Sequence, residues 1–276
     1  MVGDGAATGL LGPNENAPRS PHLVRVRVGG LMIDVVTHGD LVRAMHSDVL
    51  NARRSGRPSL PRLVFSVNGQ AVSMYHRNAD FRALFDQADV LHADGMSVVR
   101  AARWLTKRGL PERVATSDLF HHAARMAASC GISFFLLGGT EATLCRAAER
   151  IRARYPTLDL RGWRAGYFAD EDTKDVLREI RAAQPDILWV GLGRPKQEAF
   201  CVRHRDALRG VTWLKTCGGL FKFLSGEMVR APPWVQSLGL EWAHRLTLEP
   251  KRLWWRYAST NVDSIWLMAR HTADES

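Results

Sequence analysis

The apolar run Ile187-Leu188-Trp189-Val190 leads directly into Gly191-Leu192-Gly193-Arg194-Pro195-Lys196-Gln197-Glu198. This order predicts a buried strand, a glycine turn and a helix that opens at Pro195. Proline suits the first helical position because its missing N–H would be an orphan donor there. Glycine lets the backbone approach a ligand, and a helix N-terminus offers free N–H groups and partial positive charge to an anion. Lys196, Gln197 and Glu198 would then set a cation, an amide and a carboxylate beside a phosphate-sized site. An ordinary strand-to-helix turn with a polar start fits the same residues, because glycine-rich turns alone are weak signals. Three other places put polar groups straight after an apolar run: Asn68-Gly69-Gln70, Asp94-Gly95 and Gly138-Gly139-Thr140. Two roles fit Asp94. It can cap a helix starting near Met96, the commoner job for Asp at such a position, or it can present a general base.

Elements that hold these residues in place follow from the hydrophobic pattern. Strands are predicted at 23–28, 31–36, 62–67, 90–92, 133–137, 158–161, 187–190 and 212–215, with helices at 38–51, 70–86, 96–107, 117–129, 141–154, 171–183 and 195–207. Alternation of this kind predicts an α/β, Rossmann-like fold whose largely parallel sheet is flanked by helices. Segments 23–28 and 31–36 are the exception, since Gly29-Gly30 between them favours a hairpin. Ligands of open α/β sheets sit beyond the carboxyl ends of the strands, so the four polar places should converge on one cleft. Beyond about Arg230 the strand pattern stops, and two or three amphipathic helices are expected. Residues 1–22, rich in Gly, Ala, Pro and Asn, form an expected disordered tail. That leaves 23–229 as an α/β core and 230–276 as a basic, Trp-rich helical appendage.

Composition narrows the partners. The 276 residues carry a net charge of +10, which favours an anionic one. Cys130, Cys145, Cys201 and Cys217 are widely spaced, against a zinc site and in keeping with a reducing compartment. The first 22 residues lack the basic start and apolar run of a signal peptide. No apolar stretch reaches the roughly 18–20 residues of a spanning helix. Five of the nine tryptophans (Trp234, Trp242, Trp254, Trp255 and Trp266) fall after Arg230, among Arg245, Lys251, Arg252, Arg256 and Arg270. Basic helices carrying Trp suit a bilayer interface, and equally can pack on the core.

Taken in order, the motifs resemble one family. They are Asn68; Ala93-Asp94-Gly95; Arg113-Val114 with Ser117-Asp118-Leu119; Leu137-Gly138-Gly139; the 191–198 segment; Gly218-Gly219-Leu220-Phe221; and Arg230-Ala231-Pro232-Pro233-Trp234. Gly239-Leu240-Glu241-Trp242, Arg245-Leu246 and Glu249-Pro250-Lys251-Arg252-Leu253 complete the series. Together they are similar to the WecG/TagA/CpsF glycosyltransferases over about residues 23–257.

That resemblance implies an inverting, metal-independent transfer of a hexosyl or N-acetylhexosaminyl group from a UDP-sugar. The acceptor would be a polyprenyl-diphosphate-linked glycan of teichoic acid, common-antigen or exopolysaccharide assembly. UDP-sugar is then a substrate, and no cofactor is expected. The enzyme would sit peripherally on the inner face of the cytoplasmic membrane, with a homo-oligomer possible and no nucleic-acid partner. By resemblance, Asp94 is the base, and Asn68 and Gln197 face the sugar or acceptor. Gly138, Gly139, Thr140, Gly191, Gly193, Pro195, Lys196 and Glu198 line the nucleotide side, with Arg113 and Asp118 also at the substrate. Arg245, Arg252 and Arg256 close over the diphosphate in place of a metal.

Two positions depart from the family pattern. Thr116 replaces a usual Gly and is expected to narrow the backbone's room, and Lys222 replaces the Asp of Phe-Asp-Phe. Asp170-Glu171-Asp172 matches the DxD metal signature of other sugar-nucleotide transferases, but acids at a helix start also suit the macrodipole. An NAD-linked oxidoreductase would need a third glycine, where Lys196 stands. A nucleic-acid-binding protein finds no support beyond the net charge, because the basic residues are scattered.

Overall fold

The computed structural model describes residues 24–56, 58–237, 239–248 and 250–274. The expected tail, 1–22, lies outside them. The chain starts with a hairpin of β1 (Arg25–Val28) and β2 (Leu31–Asp34), turned at Gly29 and Gly30 with φ of 56° and 82°. A two-residue turn of this hand needs positive φ at both positions, which glycine supplies without steric cost. Helix α1 (His38–Ser55) follows, opened by a capping box in which Thr37 and Asp40 satisfy each other's backbone N–H groups.

Six parallel strands then build the main sheet: β3 (Arg62–Val67), β4 (Val90–Ala93), β5 (Ser133–Gly138), β6 (Asp159–Arg164), β7 (Ile187–Gly191) and β8 (Trp213–Thr216). Their spatial order is β4-β3-β8-β7-β5-β6. Side chains alternate between two cores. In β3, Leu63, Phe65 and Val67 join one cluster and Val64 the other. The second core is closed by α1, α5 (Thr116–Cys130), α6 (Glu141–Arg154) and the short α9 (Leu220–Leu224). The first is closed by α2 (Gly69–Arg77), α3 (Ala79–Phe85), α4 (Met96–Leu105), α7 (Thr173–Ala183) and α8 (Lys196–Arg203). Burial on both faces is why the strands read as nearly continuous apolar runs.

Two helices differ from expectation. The single helix predicted at 70–86 is broken at Asn78, which is extended (φ −131°). Its N–H closes α2 onto the Met74 carbonyl, and its side chain accepts from Phe81 N at 2.9 Å to open α3. Asparagine offers the backbone this alternative to continuing a helix. The helix expected over 195–207 ends at Arg203 and gives way to a short 3-10 turn, Asp206–Leu208.

After residue 230 the chain is helical, as α10 (Pro233–Ser237), α11 (Glu241–Leu248) and α12 (Pro250–His271). The far end of α12 is built into the body of the protein. Leu267 and Met268 are buried in the first core, and Gly30 N donates to the His271 carbonyl at 2.8 Å. An antiparallel bridge joins Ala273 to Arg27, and Asp263 accepts from Ser73 Oγ and Arg77 on α2. No helix among the described residues is long and apolar enough to cross a membrane.

Candidate active site

All six sheet strands end at one cleft of about 1460 Å³, the place an open α/β sheet reserves for ligands. Ser66 and Asn68 come from the end of β3, Asp94 from β4, Cys217 and Gly218 from β8, Gly191 and Arg194 from β7, Gly139 and Thr140 from β5, and Gly166 from β6. The four polar places singled out in the sequence do converge. α11 and α12 form the remaining side, where Glu241, Trp242, Ser264 and Ile265 line the cleft.

Asp94 is anchored where β4 meets β3, its N–H donating to the Val67 carbonyl at 2.8 Å. Its carboxylate does not cap α4, whose N-cap is Gly95 with no side-chain cap bond. It reaches forward to α5, accepting from Thr116 N at 3.2 Å (Oδ1) and from Thr116 Oγ1 at 3.3 Å (Oδ2). The capping alternative is thus realised on a different helix from the one its neighbours suggest, with the carboxylate still lining the cleft. Thr116, where a crowded backbone was expected, supplies a hydroxyl donor to this carboxylate. Arg113 holds the same loop, with Nε on the Asp94 carbonyl (2.8 Å) and Nη2 on Glu241 Oε2 (2.5 Å).

Beside Asp94, at the end of the neighbouring strand β3, stands a second polar group. Asn68 caps α2, its Oδ1 accepting from Ala71 N (3.1 Å) and from Arg194 Nη1 (3.0 Å). Gln197 is nearly sealed in the first turn of α8: Nε2 donates to Glu198 Oε1 (2.9 Å), and Oε1 accepts from Gly218 N (3.0 Å). Glu198 is fully buried, ion-paired to Arg194 at 2.9 Å, and does not line the cleft. It stands behind the wall, so direct substrate contact, the role expected of it, does not fit its placement. Lys196 and Pro195 are exposed and also stand outside the lining. Pro195 occupies the cap of α8 after a cis bond from Arg194, one residue before the helix, and the turn is closed by Gln197 N on the Gly193 carbonyl.

The glycines divide similarly. Gly139, Gly191 and Gly193 line the cleft, as does Thr140, whose hydroxyl accepts from Thr143 N to cap α6. Gly138 is buried with φ of 139°, and a Cβ there would lie 2.3 Å from the Gly191 carbonyl oxygen. It is needed for close approach of two strand ends, not for ligand contact. Asp118 is likewise off the cleft lining, holding Arg230 in a two-pronged ion pair, one arm of which measures 2.8 Å. Its carboxyl is held below the usual range by Arg230, against the opposing effect of burial, the larger single influence. The side chains of Arg245, Arg252 and Arg256 lie outside the described residues.

Residues the motifs did not single out complete the site. Thr143 Oγ1 and Arg146 both donate to Glu227 Oε1, at 2.7 and 2.5 Å, beside Lys222 at one end of the cleft. No sequence signal joins Arg146 to Glu227, 81 positions apart. Arg194 was in plain view, a cation directly after Gly-x-Gly. Beneath the floor, Lys215 is fully buried on central strand β8, and burial lowers its amine to about 8, against the pull of Cys217 and Asp94. Its Nζ donates to the Thr216 carbonyl at 2.6 Å. Burial, with Lys215 adding to it, also drives the fully buried His92 ring well below its usual value, so this histidine is neutral at pH 7. The Cys217 thiol is pushed up by burial and stays protonated. Asp170–Asp172 forms a 3-10 turn before α7, outside the lining, and Asp172 Oδ2 accepts from Ala169 N at 3.3 Å.

A parallel sheet with amides, a carboxylate and guanidinium groups gathered over its carboxyl edge defines a nucleotide-type α/β enzyme scaffold. The chain belongs to the glycosyl transferase WecG/TagA/CpsF family, whose sequence profile matches residues 26–276. It is therefore a glycosyltransferase of cell-surface polysaccharide biosynthesis.

Proposed function

We propose that the protein transfers a sugar, with inversion and without a metal, from a UDP-sugar to a polyprenyl-diphosphate-linked glycan at the inner face of the cytoplasmic membrane. The observation that carries this reading is the Asp94 carboxylate. It is fixed by two donors from Thr116 and lines the same cleft as Asn68, Gln197 and Arg113. In one displacement, Asp94 takes the proton of the acceptor hydroxyl as that oxygen bonds to the sugar's anomeric carbon. The bond from that carbon to the diphosphate breaks, and UDP leaves with the electron pair. A positioned base of this kind contributes about 10²–10⁴-fold.

Leaving-group charge is met by cations and N–H dipoles in place of a metal. Arg113 and the Gly191–Gly193 turn stand at the cleft for this, and Arg245, Arg252 and Arg256 are assigned the same task on α11 and α12. Thr140 and Gly139, which line the cleft, hold the nucleotide in this reading. A peripheral membrane position is supported by the exposed tryptophans of α12: Trp254 and Trp266 are each more than half exposed. A basic helix with such a face suits an anionic lipid surface.

The test is UDP release by the detergent-solubilised full-length protein with a synthetic polyprenyl-diphosphate glycan. The donors to try are UDP-glucose, UDP-glucuronate and UDP-N-acetylmannosamine. Acceptor-dependent release with one donor, persisting in EDTA, is expected. Absence of any UDP binding contradicts the assignment, and EDTA inhibition reversed by Mn²⁺ contradicts its metal-independence.

A further inference from the structure

The wall beside Asp94 contains a buried ion pair that touches both cleft amides, yet its carboxylate lies outside the cleft lining. Arg194, 8% exposed, lies against the rings of Phe81 and Phe85 at 5.9 and 5.5 Å. Three of its N–H groups are spent on the protein: Nε on Glu198 Oε1 (2.9 Å), Nη1 on Asn68 Oδ1 (3.0 Å) and Nη2 on the Ser66 carbonyl (2.7 Å). Glu198 Oε1 accepts from Gln197 Nε2 as well, so one carboxylate oxygen joins the cation to the second amide.

This wiring decides which half of the Asn68 amide meets a substrate. The Asn68 carbonyl already accepts from Ala71 N and Arg194 Nη1, which uses both of its lone pairs. Reversing the amide would set its NH2 against two donors. The half left for the cleft is therefore Nδ2, a donor. Gln197 is fixed in the same manner, its carbonyl facing Gly218 N and its NH2 facing Glu198.

We propose that Arg194 and Glu198 are positioning residues of the transfer reaction. Their ion pair locks Asn68 as a pure hydrogen-bond donor to a substrate oxygen and holds Gln197 beside it. The charge of Arg194 is spent on Glu198, Asn68 and the Ser66 carbonyl, and it acts on the reaction through Asn68. The inference rests on the transferase reading, and the wild-type assay separates the two. A wild type that releases no UDP removes the reading, whereas an active wild type lets the variants judge the pair.

Steady-state kcat and KM, measured with the donor the wild type uses, give the test. Glu198→Ala is expected to lower kcat about 100-fold while the donor KM stays within about threefold. Glu198→Gln keeps an Oε1 acceptor for both Arg194 Nε and Gln197 Nε2, so it should recover to within about tenfold of wild type. Asn68→Asp retains the oxygen that accepts from Arg194 and Ala71 but replaces the donor with an acceptor. It should lose about 100-fold or more in kcat/KM with an unchanged melting temperature. Asn68→Asp decides the matter if Glu198→Ala does not fold. Full activity in Asn68→Asp overturns the proposal. So does a Glu198 series in which activity falls only in step with the folded fraction measured by circular dichroism.

Discussion

The two edges of the main sheet use the same polar vocabulary to opposite ends. At the amino edge, carboxylates are held by strand starts and arginines away from the cleft. Asp89 accepts from Leu63 N (2.7 Å) and Arg205 (2.6 Å). Asp186 accepts from Ser133 N and Oγ (2.8 Å each) and Arg53 (2.8 Å), and Asp48 from the Trp213 indole (2.7 Å) with Arg62 3.1 Å away. These acids tie strand starts to arginines and lie outside the cleft lining. At the carboxyl edge, Asp94, Asn68 and Arg113 are each held by two bonds and still line a large cleft. A carboxylate at the start of a strand here is architecture, and the one at the end of β4 is proposed to do chemistry. What separates them is whether the carboxylate borders open space, which residue type alone does not reveal.

Substitutions at the two edges and in the floor between them should therefore fail in different ways. Asp89→Ala leaves Arg205 and the Leu63 N–H without their shared acceptor in a mostly buried place, and should cost about 3 kcal/mol or more of unfolding free energy. Urea denaturation reads that loss, while kcat of the folded fraction stays at the wild-type value. A large fall in kcat at unchanged stability would erase the contrast between the edges.

A smaller effect, of opposite sign, is expected in the floor. Lys215→Met removes a buried ammonium whose pKa falls from 10.5 to about 8, a gain of at most about 3 kcal/mol at pH 7. Between pH 8 and 10.5 the unfolded chain keeps a proton on this amine that the fold releases. Wild-type stability should thus rise with pH through that window, and the advantage of Lys215→Met should vanish above it. A pH-independent difference between the two proteins would mean that the amine is not the cause.

Much of the fold is legible because it rests on local pattern. The 62–67 strand is apolar and β-branched, and the structure ends it at the same residues. Gly29-Gly30 fixes the hairpin because few other residues take two successive positive φ angles. Asn78 shows the limit of periodicity: the apolar spacing of 70–86 continues through it, and only its side-chain cap breaks the helix. The site was legible as a set of places and not as a network. Asp94 looked like a cap for the helix beside it, because Gly95 and Met96 are its neighbours, while its partner Thr116 lies 22 positions on. Glu198 shares a helical turn with Gln197 yet points inward, and what recruits it is Arg194, which reaches Asn68 across 126 positions. Lys215 was hidden inside an apolar strand, where nothing in the sequence announces a buried charge.

Asp94 is proposed to act on the acceptor and not on the fold or the donor. UDP release by Asp94→Asn, compared with wild type at saturating donor and acceptor, tests it most directly. Calorimetric UDP binding and a thermal melt on the same preparation complete the comparison. A fall in kcat of about 10²–10⁴-fold is expected, with UDP affinity and melting temperature near wild type. Full turnover in Asp94→Asn would contradict it, as would a loss of turnover matched by an equal loss of UDP binding.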